Sequence, residues 1–112
     1  MRILALSAVL WLALASPGEA AQTGKDLKAI CEDQTPNLQG VCVGYILGIA
    51  DIMTQFSHDG GYFLGFRACM PEISVVQAQG VVVKFLNSHP DRLDRAGFSL
   101  IARALAEAYP CQ

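Results

Sequence analysis

The segment QGVCVGYILGIADIMTQF, residues 39–56, decides the fold of this 112-residue chain. Its apolar residues recur at spacings of three and four, which is the period of an amphipathic helix. Further apolar residues lie beside this stripe, and a helix that is apolar over much of its circumference is usually central to its domain. We therefore predict a central helix from about Gln39 to Phe56. The stripe consists of Cys42, Tyr45, Ile46, Ile49, Met53 and Phe56.

Three residues inside this predicted helix each have two interpretations. Gly44 and Gly48 are four residues apart and form a flat strip on which another helix can pack closely. That helix belongs either to the same chain or to a dimer partner, and close packing would offset the cost of about 1 kcal/mol that each glycine adds relative to alanine. Asp51 is either a solvent-facing carboxylate or a buried acceptor for a neighbouring loop or helix end.

Two of the flanking helices carry clear N-terminal signals. Thr23 and Asp26 have the spacing of a capping box at the start of a short first helix, which ends in the loop 33–37 because proline disfavours helix at the preceding residue. Ser74 and Gln77 repeat the capping-box pattern at the start of the third helix. Both helices are therefore predicted from local chemistry as well as from apolar periodicity.

The last helix is predicted to run from about Arg92 or Arg95 to Tyr109, where Pro110 stops it. Strand signals are weak throughout the chain. The fold class predicted from these patterns is all-α, a small four-helix, disulfide-stapled up-down bundle.

The N-terminal residues 1–20 have the pattern of a signal peptide. An apolar run over residues 3–15 follows a basic start, and small residues precede the cleavage site predicted after Ala20, with Ala21 as the second choice. The run is shorter than the roughly 20 apolar residues of a membrane span. We therefore expect export and cleavage, with residues 21–112 as one domain that is not stably inserted in the membrane.

The four cysteines indicate two disulfides, because an even number of cysteines in a small exported chain is typical of a disulfide framework. Their spacing contains no C-x-x-C pair, which argues against thioredoxin-like and zinc-ribbon sites. Four cysteines allow three pairings. An up-down bundle brings Cys31 to Cys42 at one end and Cys69 to Cys111 at the other, so we predict these two bridges.

The composition offers little support for catalysis or for nucleic-acid binding. The chain has 8 basic and 10 acidic residues and no basic patch. Ser57, His58 and Asp59 could be named as a catalytic triad, but adjacent residues in one loop rarely present that geometry. The chain has only two histidines, which are more often surface residues than zinc ligands. We therefore expect no enzyme activity, no cofactor and no metal site.

The stretch from Ser57 to Met70 combines three glycines with three aromatic residues and has two interpretations. In one, its aromatic side chains fold back onto the core of a small domain that needs them. In the other, a protruding loop presents aromatic residues and an arginine to a partner, since such residues dominate binding hot spots. The candidate partner-binding residues are His58, Asp59, Tyr62, Phe63, Phe66 and Arg67.

Four motifs in order resemble the Rap/Tai family of type VI secretion immunity proteins. They are CVGYILGIAD at residues 42–51, CMP at 69–71, VKFLNSHP at 83–90 and ALAEAYPC at 104–111. The resemblance extends from about Leu27 to Cys111, and it departs from the family at Gly97-Phe98, where a glycine weakens the start of the last helix. The residues that match the family motifs are Gly44, Tyr45, Gly48, Asp51, Pro71, His89, Pro90 and Pro110.

The resemblance implies an all-helical periplasmic domain, often a homodimer, that neutralises a peptidoglycan amidase toxin. Such inhibitors act by occlusion, because a rigid projection enters the toxin's substrate groove and covers its catalytic Cys-His pair. We place the contact surface on residues 58–67 as a hypothesis. The alternatives are a small periplasmic chaperone of the acid-stress type and an envelope accessory protein that has no toxin partner.

Overall fold

The computed structural model describes residues 22–112, so the predicted signal peptide and its cleavage site lie outside the described residues. The described part contains four α-helices, a 3₁₀ turn and no named strand. The prediction of an all-α fold is therefore confirmed. The helices are α1 (Gly24–Glu32), α2 (Pro36–His58), α3 (Val75–Ser88) and α4 (Gly97–Ala108), and the 3₁₀ turn is Pro90–Arg92.

Both predicted capping boxes are present. The Asp26 amide donates to Thr23 Oγ1 at 3.2 Å and the Thr23 amide donates to Asp26 Oδ2 at 3.1 Å, so α1 begins where its sequence predicts. The same reciprocal bonds join Ser74 and Gln77 at the start of α3, at 2.8 and 3.1 Å. Each box satisfies two of the amide groups that a helix start leaves without partners.

The central helix α2 is longer than predicted at both ends. It begins at Pro36, not at Gln39, and it ends at His58, not at Phe56. Pro36 occupies the first turn, where its missing N–H is no loss and its fixed φ is already helical. The sequence pattern places this proline in a loop, but Pro36 is the first residue of the helix.

The buried face of α2 is rotated relative to the predicted stripe. Ala50, which is not part of the stripe, is buried, whereas Phe56 at the end of the stripe is exposed. Asp51 is exposed, which agrees with its interpretation as a solvent-facing carboxylate. The rotation follows from the positions of the other helices, because α1, α3 and α4 all pack against α2. The buried residues of α2 are Cys42, Ile46, Ala50 and Met53.

The last helix begins at Gly97, later than the predicted Arg92 or Arg95. The Gly97 amide donates to the carbonyl oxygen of Gln22 at 2.6 Å, and a Cβ on Gly97 would lie 3.1 Å from that oxygen. The chain before α1 therefore packs directly on the start of α4. A glycine that weakens this helix start locally is explained by that close approach.

Both disulfides lie where the up-down connectivity predicts them. Cys31 bonds to Cys42 across the α1–α2 turn, and Cys69 bonds to Cys111 at the C-terminus. A single apolar cluster lies between the helices and includes the first of these bridges. Its largest fully buried members are Leu27, Ile46, Met53, Leu86, Ile101 and Leu105.

The outer face of α2 is not covered by any other element of residues 22–112. No atom from elsewhere in this part of the chain lies within 4 Å of the position that a Cβ would occupy on Gly40, Gly44 or Gly48. The packing of a helix of the same chain on this strip is therefore excluded for the described residues. By length and composition alone α2 would also qualify as a membrane span, but it packs against the three other helices.

Candidate partner-binding site

The loop that follows α2 begins with a tight, fully bonded helix end. The Gly60 amide donates to the carbonyl oxygen of Ser57 at 3.1 Å, and the Gly61 amide donates to that of Phe56 at 2.7 Å. Gly60 has a φ of +74°, and together these features form a Schellman motif. The helix therefore ends in a defined geometry, and the loop leaves it in one direction.

The loop continues into a short β-hairpin whose turn has two residues. The amides and carbonyl oxygens of Phe63 and Phe66 bond to each other reciprocally, both at 2.8 Å. The two residues between them, Leu64 and Gly65, have φ values of +52° and +78°. Positive φ at both central residues is the requirement of a type I′ turn, whose twist suits a hairpin. The loop thus ends in a compact tip made by Leu64 and Gly65.

The two phenylalanines of the hairpin point towards the domain. The ring of Phe63 packs against Phe56 with 5.9 Å between centroids, and both hairpin phenylalanines contact the apolar core. The Arg103 guanidinium of α4 lies 5.3 Å from the centre of the Phe66 ring, which is a cation–π contact. These contacts fix the hairpin on the surface of the bundle.

The base of the loop is closed by polar contacts. The Ser57 hydroxyl donates to the carbonyl oxygen of Ala68 at 2.7 Å, and Arg67 Nη2 donates to that of Ser57 at 3.4 Å. Arg67 Nε is buried and has no hydrogen-bond partner among the described residues. Behind the loop, the Cys69 amide donates to the carbonyl oxygen of Tyr109 at 2.8 Å, beside the disulfide to Cys111. The loop is therefore tied to α2 and to the C-terminus.

The remaining side chains of the loop point to solvent. Tyr62 is 60% exposed and Leu64 is 49% exposed, and His58 and Asp59 at the end of α2 are also exposed. The structure thus divides the six sequence candidates. His58, Asp59 and Tyr62 are on the outer surface, whereas Phe63, Phe66 and Arg67 support the loop from beneath.

Leu64 is not among the six candidates that the sequence indicates. Its only local signal is the following Gly65, which is the usual second residue of a type I′ turn. The first position of that turn normally holds asparagine, aspartate or glycine. A leucine there is not expected from propensity, so only the backbone reveals it.

The residues that match the family motifs are distributed over the domain and do not form one cluster. Gly44, Gly48 and Asp51 lie on the exposed side of α2, and Pro71 and Pro110 are exposed next to the Cys69–Cys111 bridge. Pro90 begins the 3₁₀ turn. Their separation indicates structural roles in different parts of the bundle.

Two of these motif residues contact the helices around them. Burial raises the pKa of the Tyr45 hydroxyl above its ordinary value, partly opposed by a hydrogen bond with the Phe98 backbone. His89 Nδ1 lies 2.8 Å from the carbonyl oxygen of Phe85, and the two rings stack with 4.1 Å between centroids. His89 therefore closes the C-terminal end of α3.

The candidate triad residues are not arranged for catalysis. The Ser57 hydroxyl donates to a main-chain oxygen and not to His58. Within residues 22–112, no group of three or more His, Cys, Asp or Glu side chains is placed to hold a metal ion. What the loop offers is a shaped surface: one exposed aromatic ring and an apolar tip on a fixed base.

These features define the class of the protein, a small all-helical domain with two disulfides that presents a preformed loop. A family model described as Rap1a immunity proteins matches residues 23–111. The chain therefore belongs to the Rap1a immunity protein family, as the motifs in its sequence predicted. It is an immunity protein for a type VI effector, and its partner is a protein toxin. The comparisons with curated proteins and with solved structures found no match.

Proposed function

We propose that this protein is a periplasmic inhibitor that binds and occludes a peptidoglycan amidase toxin delivered by type VI secretion. In this proposal the loop of residues 58–67 enters the substrate groove of the toxin and blocks access to its catalytic residues. The observation that carries the proposal is the preformed loop: a hairpin tip on a base that hydrogen bonds, aromatic contacts and a disulfide hold in place.

A preformed loop suits an inhibitor because fixing the backbone of a flexible segment on binding costs about 1–2 kcal/mol per residue. Here the loop backbone is already fixed by the Schellman motif at Gly60 and by the bond pair of Phe63 and Phe66. Most of that cost is therefore met during folding, and more of the interaction energy is available for affinity.

The roles of the loop residues follow from their orientation. Tyr62 is the exposed aromatic side chain, and tyrosine is enriched among residues that dominate binding. His58 and Asp59 lie at the rim, where charged residues mainly affect association rate and specificity. Phe63, Phe66 and Arg67 act from beneath by holding the loop, so replacing them would weaken binding through loss of loop order.

Two further expectations from the sequence complete the proposal. The signal-peptide pattern of residues 1–20 and the two disulfides support export to an oxidising compartment. Peptidoglycan lies in that compartment, so an inhibitor located there meets the toxin where it acts.

The experiment uses the mature, oxidised protein as bait in extracts of its own species and of close relatives. We expect recovery of a peptidoglycan amidase whose hydrolysis of purified sacculi stops when the bait is added in equal amounts. Tyr62→Ala is expected to weaken this inhibition at least tenfold, which corresponds to about 1.4 kcal/mol. Val76→Ala is the matched control, because Val76 is also an exposed apolar residue, 76% exposed, but lies in the first turn of α3, outside the loop and outside α2.

Several results would contradict the proposal. Recovery of no amidase, or of an amidase that remains active with the bait bound, would argue against occlusion. Recovery of many unfolded proteins, together with dye binding that rises sharply near pH 2–3 while the disulfides are intact, would support the chaperone alternative. An equal loss of inhibition in Tyr62→Ala and Val76→Ala would move the contact surface away from the loop.

We also propose that the protein is a homodimer through the outer face of α2. The support is an exposed helix face without a partner in residues 22–112, on which Val41 and Ile52 lie beside the open glycine strip and Asp51 is the one acidic residue. Glycines let two helices approach closely, which would offset their cost in helix stability. Light scattering of the mature protein is expected to give a dimer that Gly44→Arg converts to a monomer with an unchanged helical spectrum, whereas a monomeric wild type would exclude the dimer.

A further inference from the structure

Leu64 has a backbone conformation that leucine rarely adopts. Its φ of +52° makes it the only non-glycine residue with a positive φ among residues 22–112. In this left-handed region the Cβ of an L-residue lies too close to the following carbonyl oxygen. Such residues persist only where the surrounding structure imposes the conformation, and they cluster at functional sites.

The fold itself gives no reason for a leucine at this position. The turn needs positive φ at both central residues, and glycine at position 64 would satisfy that requirement without strain. The side chain is 49% exposed, and Leu64 is not among the residues that form or contact the apolar core. Neither turn chemistry nor burial in the core therefore accounts for it.

The surroundings of Leu64 indicate what kind of surface it would meet. No charged residue occurs between Tyr62 and Phe66, and the one side chain at the tip is the apolar side chain of Leu64. Among the described residues, the main-chain N–H and C=O groups of Leu64 and Gly65 have no hydrogen-bond partner. A complementary surface would combine an uncharged pocket for one branched side chain with donors and acceptors for the exposed main chain of the turn. A cleft that binds peptides has this chemistry.

We propose that Leu64 is the specificity-determining residue of the loop and inserts its side chain into an apolar pocket of the toxin's peptide-binding cleft. This inference rests on the proposed function, and it assigns the contact to one side chain and one type of pocket. Leucine is uncommon among residues that dominate binding. Its strained backbone is the feature that sets this leucine apart, because a destabilising conformation is retained where function needs it.

The test separates a role in binding from a role in folding, because the two predict opposite changes in stability. Leu64→Gly removes the side chain and the strain, and Leu64→Asn keeps a side chain of similar size in a residue that tolerates positive φ. We expect both variants to melt at the same temperature as wild type or higher. Both are expected to inhibit the amidase recovered with the mature protein at least tenfold more weakly, measured by hydrolysis of purified sacculi. Leu64→Met keeps the apolar side chain and is expected to stay within a few-fold of wild type.

Each other outcome has a definite meaning. Lower melting temperatures for Leu64→Gly and Leu64→Asn would show that the leucine stabilises the fold and would overturn the inference. Inhibition by Leu64→Gly equal to that of wild type would overturn the inference and leave the proposed function intact. If wild type itself inhibits no amidase, the proposed function fails and this inference fails with it. Weak inhibition by Leu64→Asn with full inhibition by Leu64→Gly would show that the pocket only excludes polar groups, which also overturns the inference that Leu64 fills it.

Discussion

The hydroxyl of Ser57 donates a hydrogen bond of 2.7 Å to the carbonyl oxygen of Ala68, and this contact closes the base of the loop of residues 58–67. Ser57 lies in the last turn of α2, and Ala68 is a buried residue with 1% exposure just before the second disulfide. One side chain therefore joins the two ends of the loop. Everything between them, including the hairpin tip, depends on this connection and on the disulfide behind it.

Ser57→Ala is expected to destabilise the protein by about 1–2 kcal/mol, because it leaves the buried carbonyl of Ala68 without its donor. The free energy of unfolding in urea measures this loss. Amide exchange at Phe63 and Phe66 should also become faster, since the hairpin loses part of its support.

Ser88→Ala is the matched control for that substitution. The Ser88 hydroxyl also donates to a main-chain oxygen at 2.8 Å, that of Lys84, but at an exposed position within one helix. Water replaces this donor, so the change in stability should stay within about 0.5 kcal/mol. Equal losses in the two variants would show that the bond to Ala68 has no special role.

The two disulfides are expected to differ in their resistance to reduction. Cys31 and Cys42 are 6% and 0% exposed, whereas Cys69 is exposed and Cys111 is partly exposed. A reductant reaches an exposed sulfur first, so Cys69–Cys111 should open at lower reductant concentration. Alkylation of the freed thiols followed by mass spectrometry measures the order. Opening of Cys31–Cys42 first, or of both together, would contradict this prediction.

Loss of each bridge also has an expected effect on stability. The Cys69–Cys111 bridge spans 42 residues and the Cys31–Cys42 bridge spans 11. Loop-closure entropy gives upper values of about 4 and about 3 kcal/mol for them. The double replacement Cys69→Ser and Cys111→Ser should therefore lower the free energy of unfolding by up to about 4 kcal/mol while the helical content remains.

The sequence predicts those parts of the fold that depend on neighbouring residues. The capping boxes of Thr23 and Ser74 are local, so their spacing predicts two helix starts. The disulfide pairing follows from the order and direction of the helices. The start of α4 is different, because it is fixed by the hydrogen bond from Gly97 to Gln22, and these two residues are far apart in the sequence. No local pattern contains that information.

In the candidate site, too, the sequence predicts local features but not the contacts between distant residues. Composition alone indicates an aromatic loop between α2 and α3, but it cannot tell which side chains point inward. That depends on partners such as Arg103, which lies over Phe66 and comes from α4. Leu64 is the clearest case, since its conformation is set by the hairpin bonds of its neighbours against its own propensity.

Replacing two helical glycines with alanine is expected to change the stability of the protein in opposite directions. A Cβ on Gly44 would contact nothing outside its own helix in residues 22–112, so Gly44→Ala should stabilise the monomer by about 0.5–1 kcal/mol. A Cβ on Gly24 would overlap the end of the Leu100 side chain and lie 3.1 Å from Leu93 Cα. Gly24→Ala should therefore destabilise the protein by about 1–3 kcal/mol.

Urea unfolding at a protein concentration low enough to keep the monomer measures both glycine variants. A stability gain for Gly24→Ala would show that α1 and α4 separate easily at their N-terminal ends. A loss for Gly44→Ala in the monomer would show that the outer face of α2 is covered, which contradicts its open position.

Asp33 is expected to contribute to the dependence of stability on pH. The Thr35 backbone amide, at 2.8 Å, and the Thr35 side chain hydrogen-bond to its carboxylate and lower its pKa below the ordinary value of 3.8. A group whose pKa is lower in the folded state stabilises the protein above its unfolded-state pKa, and this contribution is lost as the pH falls through the folded-state pKa. The loss therefore lies below pH 3.8.

Asp33→Asn isolates this contribution, because the amide oxygen can still accept from Thr35 but does not titrate. Wild type should be more stable than Asp33→Asn at pH 6, and the difference should shrink as the pH is lowered to 2, measured by urea unfolding at each pH. The direction follows from the lowered pKa, since protonation removes the charge that strengthens the hydrogen bond. A difference that stays constant from pH 6 to pH 2, or that grows on acidification, would show that the carboxylate does not stabilise the α1–α2 turn through its charge.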